Sequence, residues 1–196
     1  MAHNSLETST THYFGVGLHS PKNGFNIGAA VRATGNFDGS FFVASGSRFS
    51  VSSEENKKSD FRNMDTEQTR KKIPTFIGVN SLLDFVPHDC ELVCLERDPS
   101  ATSIVDFVHP RRAFYVFGPE DGKLPEPILL SASHKVFIPT NGSLNLAHAV
   151  VATLCDRQVK MAKTDKEDVV CPACGNIYHK MVEGNRHCNA CGHMWI

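Results

Sequence analysis

Four cysteines crowd into the last 26 residues, and their spacing is a strong chemical signal. Cys171 and Cys174 form one C-x-x-C pair and Cys188 and Cys191 a second, with thirteen residues between the pairs. That separation falls slightly below the about 15–20 residues common for this pattern. Four thiolates suit tetrahedral Zn²⁺ in a closed structural site with no position left for catalysis. Glycine follows each pair, at Gly175 and Gly192, and lets the turn aim backbone N–H groups at the sulfurs. A redox role suits one isolated C-x-x-C pair better than two. His179, His187 and His193 could each stand in for a thiolate, but the cysteines alone complete a shell of four. So small a segment cannot fold by apolar burial, so the metal must supply its folding energy. Tyr178 and Trp195 are left to pack over the site or to stack on a base.

Three loops carry the remaining candidates. The first, Ser20 to Arg32, places Asn26 where it can cap a helix. In it Gly28, Ala29 and Ala30 allow a backbone or a ligand to approach closely, and Arg32 projects from the first turns. In the second, Gly118 to Leu124, glycines bracket Pro119, Glu120 and Asp121. No Walker pattern and no G-x-G-x-x-G occurs, which argues against a phosphate cradle. The third, Pro139 to Asn145, sets Gly142 and Ser143 before a strongly apolar stretch, with Ser143 or Asn145 as its cap. Taken singly, each loop also reads as an ordinary strand–helix connection.

The elements that must position these loops follow from the apolar pattern. Strands are expected at His12 to Leu18, Phe41 to Ala44, Thr75 to Val79, Glu91 to Leu95, Ala113 to Phe117 and Lys135 to Ile138. Helices are expected at Asn26 to Phe37, at Ser81 to Phe85 and from Asn145 to about Lys163, the last apolar nearly all round in its first three turns and therefore buried. Gly46 to Lys72 reads as a long polar loop with one short helix. Strands alternating with helices imply an α/β fold, a mostly parallel sheet covered on both faces. Ligands in such sheets bind beyond the carboxyl ends of strands, where all three loops lie. Met161 to Asp168 reads as a helix end and linker. The expected organisation is one domain over 1–163, a linker over 164–170 and the metal segment over 171–196. Cys90, Cys94 and Cys155 sit among apolar residues and read as inert core thiols.

In order and spacing the three loops resemble the three motifs of the SpoU/TrmH family of the SPOUT superfamily, AdoMet-dependent RNA ribose 2′-O-methyltransferases. The residues carrying the resemblance are Asn26, Gly28 and Arg32; Phe117, Gly118 and Glu120; and Ile138, Pro139, Ser143, Leu144 and Asn145. It covers roughly residues 10–160. Two departures stand out: Lys123 occupies a position where many members have glycine, and the third motif is short between Ile138 and Ser143. The resemblance implies a C-terminal trefoil knot whose loops hold S-adenosyl-L-methionine against Gly118, Ile138 and Leu146 and the backbone near Asn141 to Leu144. It implies a catalytic set of Asn26, Arg32, Glu120, Ser143 and Asn145, with Glu120 holding Arg32 or Asn26. Arg32 matches the family residue assigned to deprotonating the ribose hydroxyl. A guanidinium stays protonated, so it acts first as a clamp on phosphate or on the developing alkoxide and only second as a base. A homodimer with a shared active site is implied as well. The C-terminal segment resembles a zinc ribbon.

Composition sets the outer limits. Hydrophobic residues make up 41% of the 196 residues, enough for a substantial core. The formal net charge is −1, which neither advertises nor excludes RNA; basic residues cluster at Lys57 and Lys58, Arg70 to Lys72, and Arg111 and Arg112. The polar start MAHNSLETST lacks a signal-peptide core, and no apolar run is long enough for a membrane span, so a cytoplasmic protein is expected. The RNA is expected to be tRNA ahead of rRNA, by family analogy. A competing reading is a SPOUT-like module that grips RNA without chemistry, or a zinc-ribbon adaptor for a protein complex.

Overall fold

The computed structural model describes residues 12–50, 61–167, 171–174, 179–182 and 185–195. The chain divides into two compact units, residues 1–156 and 157–196. In chain order the elements are β1 (Tyr13–Leu18), α1 (Gly24–Asn36), β2 (Phe41–Ser45), β3 (Thr75–Val79), β4 (Glu91–Leu95), β5 (Thr102–Ser103), β6 (Arg112–Phe117), α2 (Glu126–Ser131), β7 (His134–Phe137), α3 (Leu146–Glu167), β8 (His179–Val182), β9 (Asn185–Cys188) and β10 (Met194–Trp195). Among the described residues, no helix is long and apolar enough to cross a membrane.

Side-chain alternation explains the sheet. In β2, Phe42 and Ala44 enter one core and Phe41 and Val43 the other; in β6, Tyr115 and Phe117 oppose Phe114 and Val116. Both faces are apolar, so both must be covered, and the strands read as continuous apolar runs. Ile27, Ala30 and Val31 of α1 and Leu146, Val150 and Leu154 of α3 pack on the first face. Ile128 of α2 packs on the second. The result is a parallel seven-stranded sheet in the order β3-β2-β1-β6-β4-β7-β5. It is the α/β fold, a parallel sheet covered on both faces, that the alternating pattern implied. The three loops leave the carboxyl ends of β1, β6 and β7, and β4 lies between β6 and β7.

Several local expectations are corrected. Helix α1 starts at Gly24 and is capped by Asn23, whose side chain accepts from Phe25 N at 2.8 Å. Asn26 is therefore free of capping duty. For α3 the cap is Asn145, accepting from Ala147 N at 2.9 Å and His148 N at 3.3 Å. That helix continues through Glu167, because Lys163–Glu167 contains neither glycine nor proline to stop it; residues 168–170 lie outside the described ones. Nor is α3 buried all round. His148, Val151 and Cys155 share an exposed face, with Val151 42% exposed. Cys155 is thus a surface thiol, while Cys94 is buried and desolvation pushes its pKa up to about 12. Residues 81–85 hold a single 3₁₀ turn at Leu83–Phe85. The two-residue β5 and the six-residue α2 are too short for periodicity to reveal.

The polar stretch after β2 forms 3₁₀ turns at Arg48–Ser50, Phe61–Asn63 and Thr69–Lys71. Asp65 is buried between two of them and accepts from Thr69 N at 2.7 Å, Arg70 N at 3.1 Å and Arg70 Nη1 at 2.8 Å. The turn at Phe61 lies against α1 at Gly28, where an added Cβ would stand 2.0 Å from the Phe61 carbonyl oxygen. The close approach that glycine permits at this position is thus made by another stretch of backbone. Gly28→Ala must push this turn off α1, a steric strain of about 1–3 kcal/mol. The expected outcome is a Tm lower by about 2–10 °C in a thermal melt; an unchanged Tm would contradict the close contact.

Candidate active site and metal centre

One carboxylate joins the first two loops. Glu120 accepts from Lys22 N at 2.8 Å and Asn23 N at 3.3 Å, and from Asn26 Nδ2 at 2.8 Å. The third loop is tied in through Asn145, whose Nδ2 donates to Asn26 Oδ1 at 3.0 Å. The two amides can take only one orientation here. Asn26 must turn its NH₂ to the acceptor-only carboxylate, which leaves its oxygen for Asn145; Asn145 must turn its oxygen to the N–H groups of α3. Asn26, Glu120 and Asn145 therefore form one chain of hydrogen bonds across three loops. Of the two partners expected for Glu120, Asn26 is the one it holds.

Beside this chain lies a cavity of about 180 Å³ at the carboxyl ends of β4, β6 and β7. Its apolar wall includes Leu95, Phe117, Val136, Ile138 and Leu146, and its rim includes Gly118, Glu120, Gly142, Ser143 and Leu144. Gly118, Ile138, Leu144 and Leu146 thus face one space. Asn141 does not line it; it sits between Thr140 and Gly142, which do. Ser143 is exposed on the rim and caps no helix. Lys123 lies outside the lining, whereas Gly122 belongs to it.

Sequence reasoning missed two lining residues, Glu96 and Arg97, which follow β4 directly. Glu96 Oε2 accepts from Leu124 N at 2.9 Å, and Oε1 from Arg97 N at 3.0 Å. Arg97 Nη2 donates to the Thr140 carbonyl, to Thr140 Oγ1 at 2.9 Å and to the Gly142 carbonyl at 3.0 Å. The signal was the charged pair ending an apolar strand; its relevance depends on strand order, which sequence alone does not supply. A further tie is Arg48, which grips Asp121 with both nitrogens at 2.8 and 2.7 Å. The Arg48 hydrogen bond holds the Asp121 carboxyl at a pKa of about 2.

Arg32 does not join this group. Six residues after Asn26, it points about 120° away around the helix. Its Nη1 donates to Thr66 Oγ1 at 2.9 Å, and its Nη2 stands 3.9 Å from Glu67.

A family model described as the SpoU rRNA Methylase family matches residues 13–155. The chain belongs to that family. Its fold is also that of solved family structures. The SpoU methyltransferase AviRb from Streptomyces viridochromogenes, in complex with the cofactor AdoMet, superposes with a TM-score of 0.63 at 20% identity, over 78% of this chain and 59% of that one. The chain thus spans little more than half the length of AviRb. The TrmH/SpoU tRNA modifying enzyme of A. aeolicus gives 0.63 at 20% identity, over 78% and 77%. A structure described as showing 2-OH methylation of C/U34 on tRNA gives 0.61 at 19% identity, over 78% and 99%. No curated protein sequence matches the chain.

The cysteine cluster lies beyond the stretch matched to the SpoU family. Strands β8, β9 and β10 form an antiparallel sheet that carries it. The Sγ atoms of Cys171, Cys174, Cys188 and Cys191 all lie within 4.8 Å of one another. Cys171 and Cys191 are 3.6 Å apart, and Cys174 and Cys188 3.7 Å. Zn–S bonds of about 2.3 Å in a tetrahedron place sulfurs about 3.8 Å apart, so the four thiolates fit one structural zinc ion. Gly192, at φ +75°, closes the second knuckle, and Ala190 N donates to Cys188 Sγ at 3.4 Å. Among the described residues, neither His187 nor His193 belongs to the cluster. The ring of Trp195 stacks on His193 at 6.0 Å; Gly175 and Tyr178 lie outside the described residues. One zinc per chain is expected by elemental analysis. Chelation should release it and remove the protection of the β8–β10 amides from hydrogen exchange while the amides of β1 and β6 stay protected. Zinc-free protein with protected β8–β10 amides would contradict a structural role for the metal.

Proposed function

We propose that the chain transfers a methyl group from AdoMet to a ribose 2′-hydroxyl of RNA, with tRNA as its substrate. The observation that carries this is the hydrogen-bond chain Glu120–Asn26–Asn145, which fixes three loops beside one cavity. The cavity suits the cofactor's chemistry: an apolar wall for a flat base and exposed loop backbone and side-chain groups for its polar parts. Gly118, Ile138, Leu144 and Leu146 would hold it, with the backbone at Asn141. When bound, AdoMet supplies an electrophilic methyl carbon, which leaves the protein to bind, orient and exclude water. Ser143, on the exposed rim, is placed to meet the nucleotide.

The tRNA assignment is supported by the A. aeolicus tRNA modifying enzyme and the structure described for C/U34. The family description favours rRNA as the second reading. A gripping module without chemistry has no need for the whole set of Asn26, Arg32, Glu120, Ser143 and Asn145.

Arg32 enters this reading through a second copy of the chain. Within one copy it pairs with Thr66 and Glu67 at the far side of α1. We infer a homodimer in which Arg32 reaches the partner's cavity and clamps phosphate or alkoxide as a fixed cation. The exposed Leu144 and Val151, 41% and 42% exposed, supply apolar surface that a second copy would cover. The RNA contacts of the zinc ribbon belong to the same reading, as does the C-terminal knot. Arg32→Ala is expected to abolish methyl transfer to RNA while calorimetry still detects AdoMet binding. Near-normal turnover in that variant would remove Arg32 from the reaction.

A further inference from the structure

Glu96 and Arg97 add charge to a cavity that the three motif loops leave nearly free of it. Three groups carry formal charge in the lining: Glu96, Arg97 and Glu120. Glu120 is committed to Lys22 N, Asn23 N and Asn26 Nδ2. Arg97 is committed to the third loop through Thr140 and Gly142. Glu96 accepts one backbone N–H on each oxygen, from Leu124 and Arg97. A carboxylate offers about four acceptor positions, so Glu96 keeps acceptor capacity at the cavity wall. The lining sums to one net negative charge.

AdoMet at neutral pH carries a sulfonium, an ammonium and a carboxylate, one net positive charge. Methyl transfer breaks the carbon–sulfur bond and forms a carbon–oxygen bond. The bonding pair stays on sulfur as a neutral thioether, and the ribose hydroxyl proton passes to solvent. The product, S-adenosylhomocysteine, therefore has no net charge. Resting on the AdoMet reading of this cavity, we propose that Glu96 is a specificity-determining residue. Its carboxylate makes the cavity prefer the cationic cofactor to the neutral product, so that transfer itself loosens the spent molecule. The preference is electrostatic and is felt across the cavity, since charges a few ångströms apart at a partly covered site interact far more strongly than in bulk water.

The test is calorimetry on the full zinc-loaded chain with AdoMet and, separately, S-adenosylhomocysteine. Glu96→Gln keeps an amide oxygen for Leu124 N, gives up the bond from the neighbouring Arg97 N and removes the charge. It is expected to weaken AdoMet by about fivefold, the upper range for a partly exposed charge pair, and to leave S-adenosylhomocysteine within about twofold. Arg97→Ala frees the third loop and also removes a positive charge from the lining, so it is expected to weaken both ligands, S-adenosylhomocysteine more than AdoMet. Equal changes for the two ligands in Glu96→Gln, or none, would overturn the proposal while leaving the AdoMet reading intact. Should Glu96→Gln fail to fold in a thermal melt, the unsubstituted protein decides. Its preference for AdoMet over S-adenosylhomocysteine must fall as NaCl is raised, and a preference independent of salt overturns the proposal. An unsubstituted chain that binds neither ligand refutes the AdoMet reading, and this inference with it.

Discussion

A single acidic side chain at the end of the central strand β6 determines whether the site exists. Glu120 stands where the first two loops meet and satisfies two backbone N–H groups that precede α1. Those groups would otherwise face water, and the loop ahead of α1 would lose its link to Asn26 and the third loop. Through Asn26 the same carboxylate reaches Asn145, which in turn satisfies the first free N–H groups of α3. Helix ends carry unsatisfied donors by construction. Here the groups that satisfy two of them also align the loops with one another. Neutral side chains could not replace this arrangement, because a carboxylate accepts on both oxygens and polarises the amide next to it.

The topology explains why so few residues suffice. Strands β1 and β6 are neighbours, and β4 separates β6 from β7. The three loops therefore rise from one edge of the sheet within a few strand widths, although β1 and β7 are more than a hundred residues apart in sequence. Both faces of the sheet are filled by helices and apolar side chains, so the strand ends are rigid supports. The chemistry in the cavity asks for placement and charge. The site supplies it with fixed dipoles, carboxylates and a guanidinium. The metal segment follows a different logic, in which four thiolates and one ion stand in for a core.

Much of this was legible because apolar runs end where strands end. Thr75–Val79 and Glu91–Leu95 are read directly from residue type, and β1, β2 and β6 to within a residue. The loops were visible from their polar residues and glycines, and the cysteine pairs from spacing alone. What remained hidden depends on three dimensions. Asn23 and Asn26 are equally good caps by type, and only Glu120 decides which one is free. The exposed face of α3 cannot be told from a buried one when both are apolar. Glu96 and Arg97 look like an ordinary charged turn until β4 is seen to lie between β6 and β7. Arg32 shares a motif with Asn26 but occupies another face of α1, a separation that linear spacing conceals.

The central claim is that this fold delivers a methyl group to a ribose oxygen. The most direct measurement gives the purified chain methyl-labelled AdoMet and unmodified tRNA and then digests the RNA with alkali. A 2′-O-methyl group blocks cleavage at its own nucleotide, so the account predicts that the label is recovered in alkali-resistant dinucleotides. Label recovered in single nucleotides would place the methyl on a base, and no label in either tRNA or rRNA would remove the activity; each result contradicts the account.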